Sequence, residues 1–453
     1  MKNGAVFCLC ALSAWGGDFN FKKFTVSSLY DSEGANAGDI DGDGKPDLVS
    51  GPYWYQGPEF TVRHEYQPAK VLDPAVGYTG NFMCWLYDFD GDGRLDILMA
   101  GLPGDPAYWY QNPGPGEVSK TVTVWTRRTA LNQFGNESPD LLDINGDGKR
   151  EAVFNTNDGY FAWAAPNPAD INALWTIHRI TPKGAQDRYN HGLGYGDVNG
   201  DGRLDLLEKD GWWEQPASLA GDPVWKQHAF TFSGGGAQMY AYDVDGDGDN
   251  DIVTTLEAHG FGLAWFEQAK QNDGITFIKH MIMGNRQEES IYGVAFSQPH
   301  ALALTDIDGD GLKDLVTGKR KWAHGPTGDV EPNATFVLYA FQLQRTAGTV
   351  KYIPRLIDTA SGIGTQLEVK DVNGDGLNDL LIGNKNGTFI FFKDGKSAPI
   401  QPLRHGSGRF PVLGNDVARW FDARGGELSA ARSVWGNGSL SPYFTLARPG
   451  DIK

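Results

Sequence analysis

The residues of this chain that could do chemistry fall into two patterns, one repeated and one irregular. The repeated pattern places oxygen-bearing side chains at positions one, three, five and nine of a short run, with glycine at position six. Its copies are Asp39, Asp41, Asp43 and Asp47; Asp88, Asp90, Asp92 and Asp96; Asp143, Asn145, Asp147 and Glu151; Asp197, Asn199, Asp201 and Asp205; Asp243, Asp245, Asp247 and Asp251; Asp306, Asp308, Asp310 and Asp314; and Asp371, Asn373, Asp375 and Asp379. Oxygen ligands two residues apart, folded back by glycine, suit a hard cation, so several bound calcium ions are expected in these loops.

The irregular pattern is carried by histidines. His64, His178, His228 and His280 recur at one place in the repeat. A position filled alike in several units reads as a packing and hydrogen-bonding device. His191, His259, His300 and His324 break the repeat. His191 and His300 stand just before the first strand of their units, and His259 and His324 just after the second. All four should reach the face opposite the acidic loops, with His191, His259 and His300 nearest the axis. Three neutral imidazoles converging there can ligate one zinc ion or share proton transfer; unrelated surface histidines are the plain alternative. Glu208, Asp210, Tyr160 and Trp322 are placed at the same edge, where carboxylates and ring faces suit a small sugar or oligosaccharide. The Glu208–Asp210 stretch reads equally as a solvated turn. The chain has no G-x-S-x-G, H-E-x-x-H, phosphate loop or C-x-x-C, so a serine hydrolase is unsupported, while a paired-carboxylate glycosidase stays open.

The elements that must position these groups are short strands. Each acidic loop lies between apolar segments such as Asp47-Leu48-Val49 or Asp314-Leu315-Val316, with no helical period on either side. That makes it a turn between strands rather than an EF-hand. An aromatic pair follows (Trp54-Tyr55, Trp212-Trp213, Trp265-Phe266), then a segment of the Trp175-to-His178 type. Four short antiparallel strands per unit make a propeller blade. The expected fold is all-β: a seven-bladed β-propeller over residues 20–397, with calcium-binding loops between the first and second strands of each blade. The first segment, residues 21–30, precedes any complete unit. It should pair with the last blade, residues 366–393, and close the ring without an open edge. Residues 398–453 are left as a C-terminal extension, either a cap or partly disordered.

A net charge of −18 argues against a nucleic-acid partner. No stretch approaches transmembrane length. Met1-Lys2 followed by the apolar run from Ala5 to Ala14 reads as a signal peptide over residues 1–16, implying a secreted or periplasmic protein. Cys8 and Cys10 would leave with it, so Cys84 stands alone and no disulfide framework is implied.

The seven loops resemble the FG-GAP or VCBS repeat of integrin-type propellers. A narrower resemblance lies in Asn190-His191-Gly192-Leu193-Gly194 with Glu208-Lys209-Asp210-Gly211-Trp212-Trp213, in Leu256-Glu257-Ala258-His259-Gly260, and in His300-Ala301-Leu302 with Lys319-Arg320-Lys321-Trp322-Ala323-His324. These segments are similar to the propeller domain of the aldos-2-ulose dehydratase (1,5-anhydro-D-fructose dehydratase) family, whose cupin-type domains have no counterpart here. The resemblance implies elimination of water from a keto- or anhydro-sugar. A zinc on His191, His259 and His300 would act as Lewis acid and Glu257 or His324 as base, with Lys319, Lys321 or Tyr189 assisting. Two other readings stand beside it. A propeller-fold polysaccharide lyase would use cationic groups such as Lys319, Arg320 and Lys321 to neutralise a uronate. A carbohydrate- or protein-binding propeller would have no turnover.

Overall fold

Aromatic and branched residues in short runs, punctuated by Asp-Gly turns, build strands along the whole first part of the chain. The computed structural model describes residues 19–394, apart from 168, 185, 186, 272, 273 and 347, together with the strands Arg419–Phe421 and Glu427–Ser429. The chain divides into two units, Met1–Gly395 and Lys396–Lys453. The expected signal peptide lies outside the described residues. So does the C-terminal extension, except that its two short strands pair antiparallel. No helix of the described residues is long and apolar enough to cross a membrane.

Five four-stranded sheets form separate blades. Three follow in chain order: Asn36–Gly38 to Val62–Glu65, Met83–Tyr87 to Thr126–Leu131, and Gly135–Leu142 to Thr176–Arg179. A fourth runs from Leu302–Thr305 to Thr349–Asp358. The fifth combines Leu367–Lys370, Asp379–Asn384 and Gly387–Lys393 with the N-terminal strand Phe21–Ser27. Phe21 pairs with Lys393 and Thr25 with Phe389, so the first strand closes the last blade.

The expectation of seven separate blades is corrected here. Residues 193–283 form one curled eight-stranded sheet, because the inner strands Leu193–Gly196 and Gln238–Tyr242 pair in parallel, Leu193 with Gln238 and Tyr195 with Tyr240. Glycine permits the approach. A Cβ on Gly194 would meet the Met239 carbonyl oxygen at 1.9 Å, and one on Gly196 would meet Ala241 Cβ at 2.3 Å. Without side chains at these two places, edges that a propeller normally holds apart join by hydrogen bonds.

The calcium expectation is corrected as well: the acidic loops close on their own amides, and no calcium-binding loop is identified. Asp39 accepts from Gly42 N at 2.8 Å and Gly44 N at 3.0 Å, and Asp143, Asp306 and Asp371 do the same in their loops. The ninth-position carboxylate is taken likewise, Asp47 accepting from Ile40 N and Gly57 N, both at 2.8 Å. The spacing that suits a hard cation also suits Asx-type turns, which use the same lone pairs. Carboxylates still gather within 4.8 Å of one another in the Asp39, Asp88 and Asp243 loops, as exposed acidic groups commonly do.

The ninth-position carboxyls are buried, and burial raises them: Asp47, Asp96, Glu151, Asp205 and Asp251 to about 7, Asp314 to about 8 and Asp379 to about 6. A carboxyl raised by folding stabilises the fold below its unfolded value, near 4, and that contribution is lost as pH climbs through the folded value. In chelator-containing buffer, the thermal midpoint should therefore fall as pH rises from about 5 to about 8. A midpoint that rises across this window would show the carboxyls to be ionised and compensated.

The repeated histidines pack on the blades. His64 stacks on Trp54 with ring centroids 4.0 Å apart, His178 on Trp163 at 3.8 Å, His228 on Trp212 at 4.0 Å and His280 on Trp265 at 4.3 Å. Each pair lies directly opposite across two outer strands, which places the rings face to face. Cys84 is buried and free.

Candidate metal centre

The strand ends on the face away from the acidic loops are laced together by backbone hydrogen bonds. Asn136 N donates to Arg188 O and Glu137 N to Asn190 O, both at 2.9 Å; Gln298 N donates to Gly260 O at 2.8 Å and Arg320 N to Gln298 O at 3.0 Å. Three residues here adopt left-handed backbone, Asn136 at φ 79°, Gln298 at φ 59° and Trp322 at φ 53°. For glutamine and tryptophan that conformation is costly, and such positions concentrate where a site demands them.

Within this frame His191, His259 and His300 meet. His259 Nε2 is 3.0 Å from His191 Nε2, which is 3.3 Å from His300 Nε2. Corners of a tetrahedron around zinc, with bonds of about 2.0–2.1 Å, lie about 3.3 Å apart. The separations therefore fit a shared ion. Outer contacts aim the rings: His259 Nδ1 lies 3.3 Å from Asp329 Oδ1, and His191 has a backbone hydrogen bond to Tyr189. For these two rings this is the outer support that metal-ligating imidazoles need, whereas His300 Nδ1 is buried with no partner among the described residues. Burial, more than the neighbouring charges, lowers His191 and holds His300 well below the usual histidine range, which favours the neutral imidazole a metal would need.

A buried ionic network stands behind the triad. Arg320 is 1 % exposed; its Nε donates to Glu33 at 3.2 Å, and its Nη1 reaches Glu137 at 3.3 Å and His300 Nε2 at 3.0 Å. Tyr30 donates to Glu33 at 2.7 Å. Burial opposes the guanidinium's charge, but Glu33 and Glu137 outweigh it, and the net shift is upward. Glu137 Oε2 is 3.3 Å from His300 Nε2 and Oε1 is 3.7 Å from His191 Nε2. His300 Nε2 thus faces Arg320 Nη1 with the same lone pair that a metal ion would take.

His324 stacks on His259 with centroids 4.6 Å apart, and its Nδ1 lies 2.7 Å from Asp329 Oδ1. Burial would raise Asp329; hydrogen bonds from His259 and His324 prevail and hold it below the usual carboxylate range. The other residues anticipated from sequence lie around this core, and Tyr189 meets it through its backbone hydrogen bond with His191. Glu257 is exposed, and no hydrogen bond or ion pair joins it to the three histidines. Lys319 is fully buried with Nζ 2.8 Å from Ser297 Oγ, and burial lowers it to about 8. Lys321 lies over the Trp322 ring at 4.7 Å, and Trp322 Nε1 donates to Asn333 at 2.9 Å. Tyr189 is exposed beneath Arg188, Tyr160 is covered by Arg179, Glu208 is buried and accepts from Asp210 N, and Asp210 pairs with Lys209.

Neither Glu33 nor Asp329 belongs to the acidic loops or to the histidine pattern of the sequence. A signal for Glu33 was present: Glu33, Glu137, His191 and His300 each stand six residues before the first aspartate of their loop, at Asp39, Asp143, Asp197 and Asp306. The register that selects two of the histidines also selects both glutamates. Asp329 sits in a long connection with no repeat to compare.

Among known proteins, a family model described as FG-GAP-like repeat matches residues 88–154. No curated protein matches the chain. The anticipated kinship with the aldos-2-ulose dehydratases is corrected by these two findings, since the match lies outside the segments that suggested it. Among solved structures, BBS1N in complex with ARL6DN is similar at TM-score 0.44 and 12% identity, over 83% of this chain and 97% of that one. Rhamnogalacturonan lyase YesW is similar at 0.38 and 13%, over 82% and 72%. The V. cholerae biofilm matrix protein Bap1 is similar at 0.35 and 12%, over 84% and 85%. Likenesses this distant carry no information about what the histidine site does.

Proposed function

We propose that the histidine site is a metal-assisted lyase centre acting on a carbohydrate. The observation that carries this reading is the convergence of three Nε2 atoms, at 3.0 and 3.3 Å, beside the carboxylate of Glu137. A zinc-class ion held by His191, His259 and His300 would polarise a carbonyl or carboxylate oxygen of the sugar and acidify the adjacent C–H. Glu137, the carboxylate that faces the triad, is assigned to accept that proton. The electron pair left on carbon becomes the new double bond as the C–O bond at the β-carbon breaks. His324, held by Asp329, would return a proton to the departing oxygen. Loss of water or of a glycosidic oxygen follows the same course.

Elemental mass spectrometry on untagged protein, loaded with zinc and desalted, should find about one zinc per chain. His259→Ala should lose it while keeping the parent's circular dichroism. Keto- and uronate-containing sugars should yield absorbance from new unsaturation with the parent and none with the variant. A parent that retains no zinc, or a variant that holds it as tightly, overturns the reading.

A further inference from the structure

Beside the triad, two lysines have no ion pair among the described residues, and Arg320, held by Glu33 and Glu137, keeps one edge without a partner. Lys385 is 4% exposed; its Nζ donates to the Trp322 carbonyl at 2.8 Å and lies 3.9 Å from the centre of the Tyr78 ring. Lys321, half-buried, has Nζ over the Trp322 indole and no hydrogen bond or ion pair among the described residues. Arg320 lies over the same Tyr78 ring at 5.8 Å, and its buried Nη2 has no partner. The carboxylates nearest Lys385 are already engaged, Glu33 by Tyr30 and Arg320, Asp329 by His259 and His324. Burial lowers Lys385 to about 8 and draws Lys321 down as well. A buried cation without a counter-charge is costly, and an arriving anion relieves that cost.

We infer that Lys321, Lys385 and the unpartnered edge of Arg320 form an anion subsite next to the triad, and that the ligand is an acidic carbohydrate whose carboxylate seats there. The inference rests on the lyase reading for the sugar, and on this geometry alone for the anion. The left-handed backbone at Trp322 turns its carbonyl to Lys385 while its ring underlies Lys321, so one residue orients both ammonium groups.

Isothermal titration of the full chain with trigalacturonate, its methyl ester and inorganic phosphate separates the two parts. The free acid should bind at least about 10-fold more tightly than the ester, since hydrogen bonds to a charged group are each of that order. Lys321→Met and Lys385→Met should each remove most of that preference and leave ester binding and zinc content unchanged. Lys321→Met, at a half-buried position, guards against a folding defect at Lys385. Equal binding of acid and ester overturns the anion subsite and leaves the lyase reading standing. Phosphate binding as tightly as trigalacturonate, and lost in both lysine variants, supports the subsite and overturns the carbohydrate. Failure of all three probes to bind overturns the inference.

Discussion

Replacing Arg320 with methionine should lower the unfolding free energy by about 3–5 kcal/mol, the cost of breaking a buried ion pair from one side. Glu33 is fully buried and Glu137 nearly so, and both depend on this guanidinium. With Arg320 gone, the Tyr30 hydroxyl is the one side-chain hydrogen bond left to the Glu33 carboxylate among the described residues. The double variant Glu33→Gln with Arg320→Met should recover a large part of the loss, because it removes the stranded charge and not only its partner. Zinc retention provides a separate readout. Arg320 Nη1 stands 3.0 Å from His300 Nε2, so removing it takes a positive charge away from the triad, and zinc affinity should not fall. Urea melts with zinc titrations on the same samples decide the matter. A single variant within about 1 kcal/mol of the parent would mean that water or a shifted side chain already solvates Glu33.

Removing residues 1–27 should leave no soluble monomer with the parent's thermal midpoint. Phe21–Ser27 is the outer strand of the last blade, paired along Gly387–Lys393. It is tied further by Lys23, which bonds Asp358 at 2.9 Å and lies over the Phe389 ring at 4.5 Å. Without it, the segment Gly387-Thr-Phe-Ile-Phe-Phe-Lys393 would present an unpaired edge with four apolar residues in a row. Such an edge is a template for association with other chains. Size-exclusion chromatography and a thermal melt test the expectation; a monomer melting with the parent would show that the fifth blade holds on three strands.

Much of this protein is written locally in its sequence. The Asp-Gly loops specify their turns within ten residues, a tryptophan and a histidine sit at matching positions in four of the outer hairpins, and the early unpaired strand announces the closure. The histidines of the candidate site could be picked out because they interrupt a repeat, and a repeat is visible without coordinates. The tertiary structure decided matters in which distant residues compete for the same space or charge. Whether an acidic loop binds a cation or its own amides depends on which donors fold back onto Asp39 and Asp47, and both outcomes use one spacing. The merging of two blades depends on how closely Gly194 and Gly196 approach Met239 and Ala241, more than forty residues on. Arg320 meets Glu33 and Glu137 across 287 and 183 residues. Periodicity records which face a side chain takes, because that is a property of one strand. The pairing of buried charges is a property of the closed ring, since burial alone makes those partners necessary.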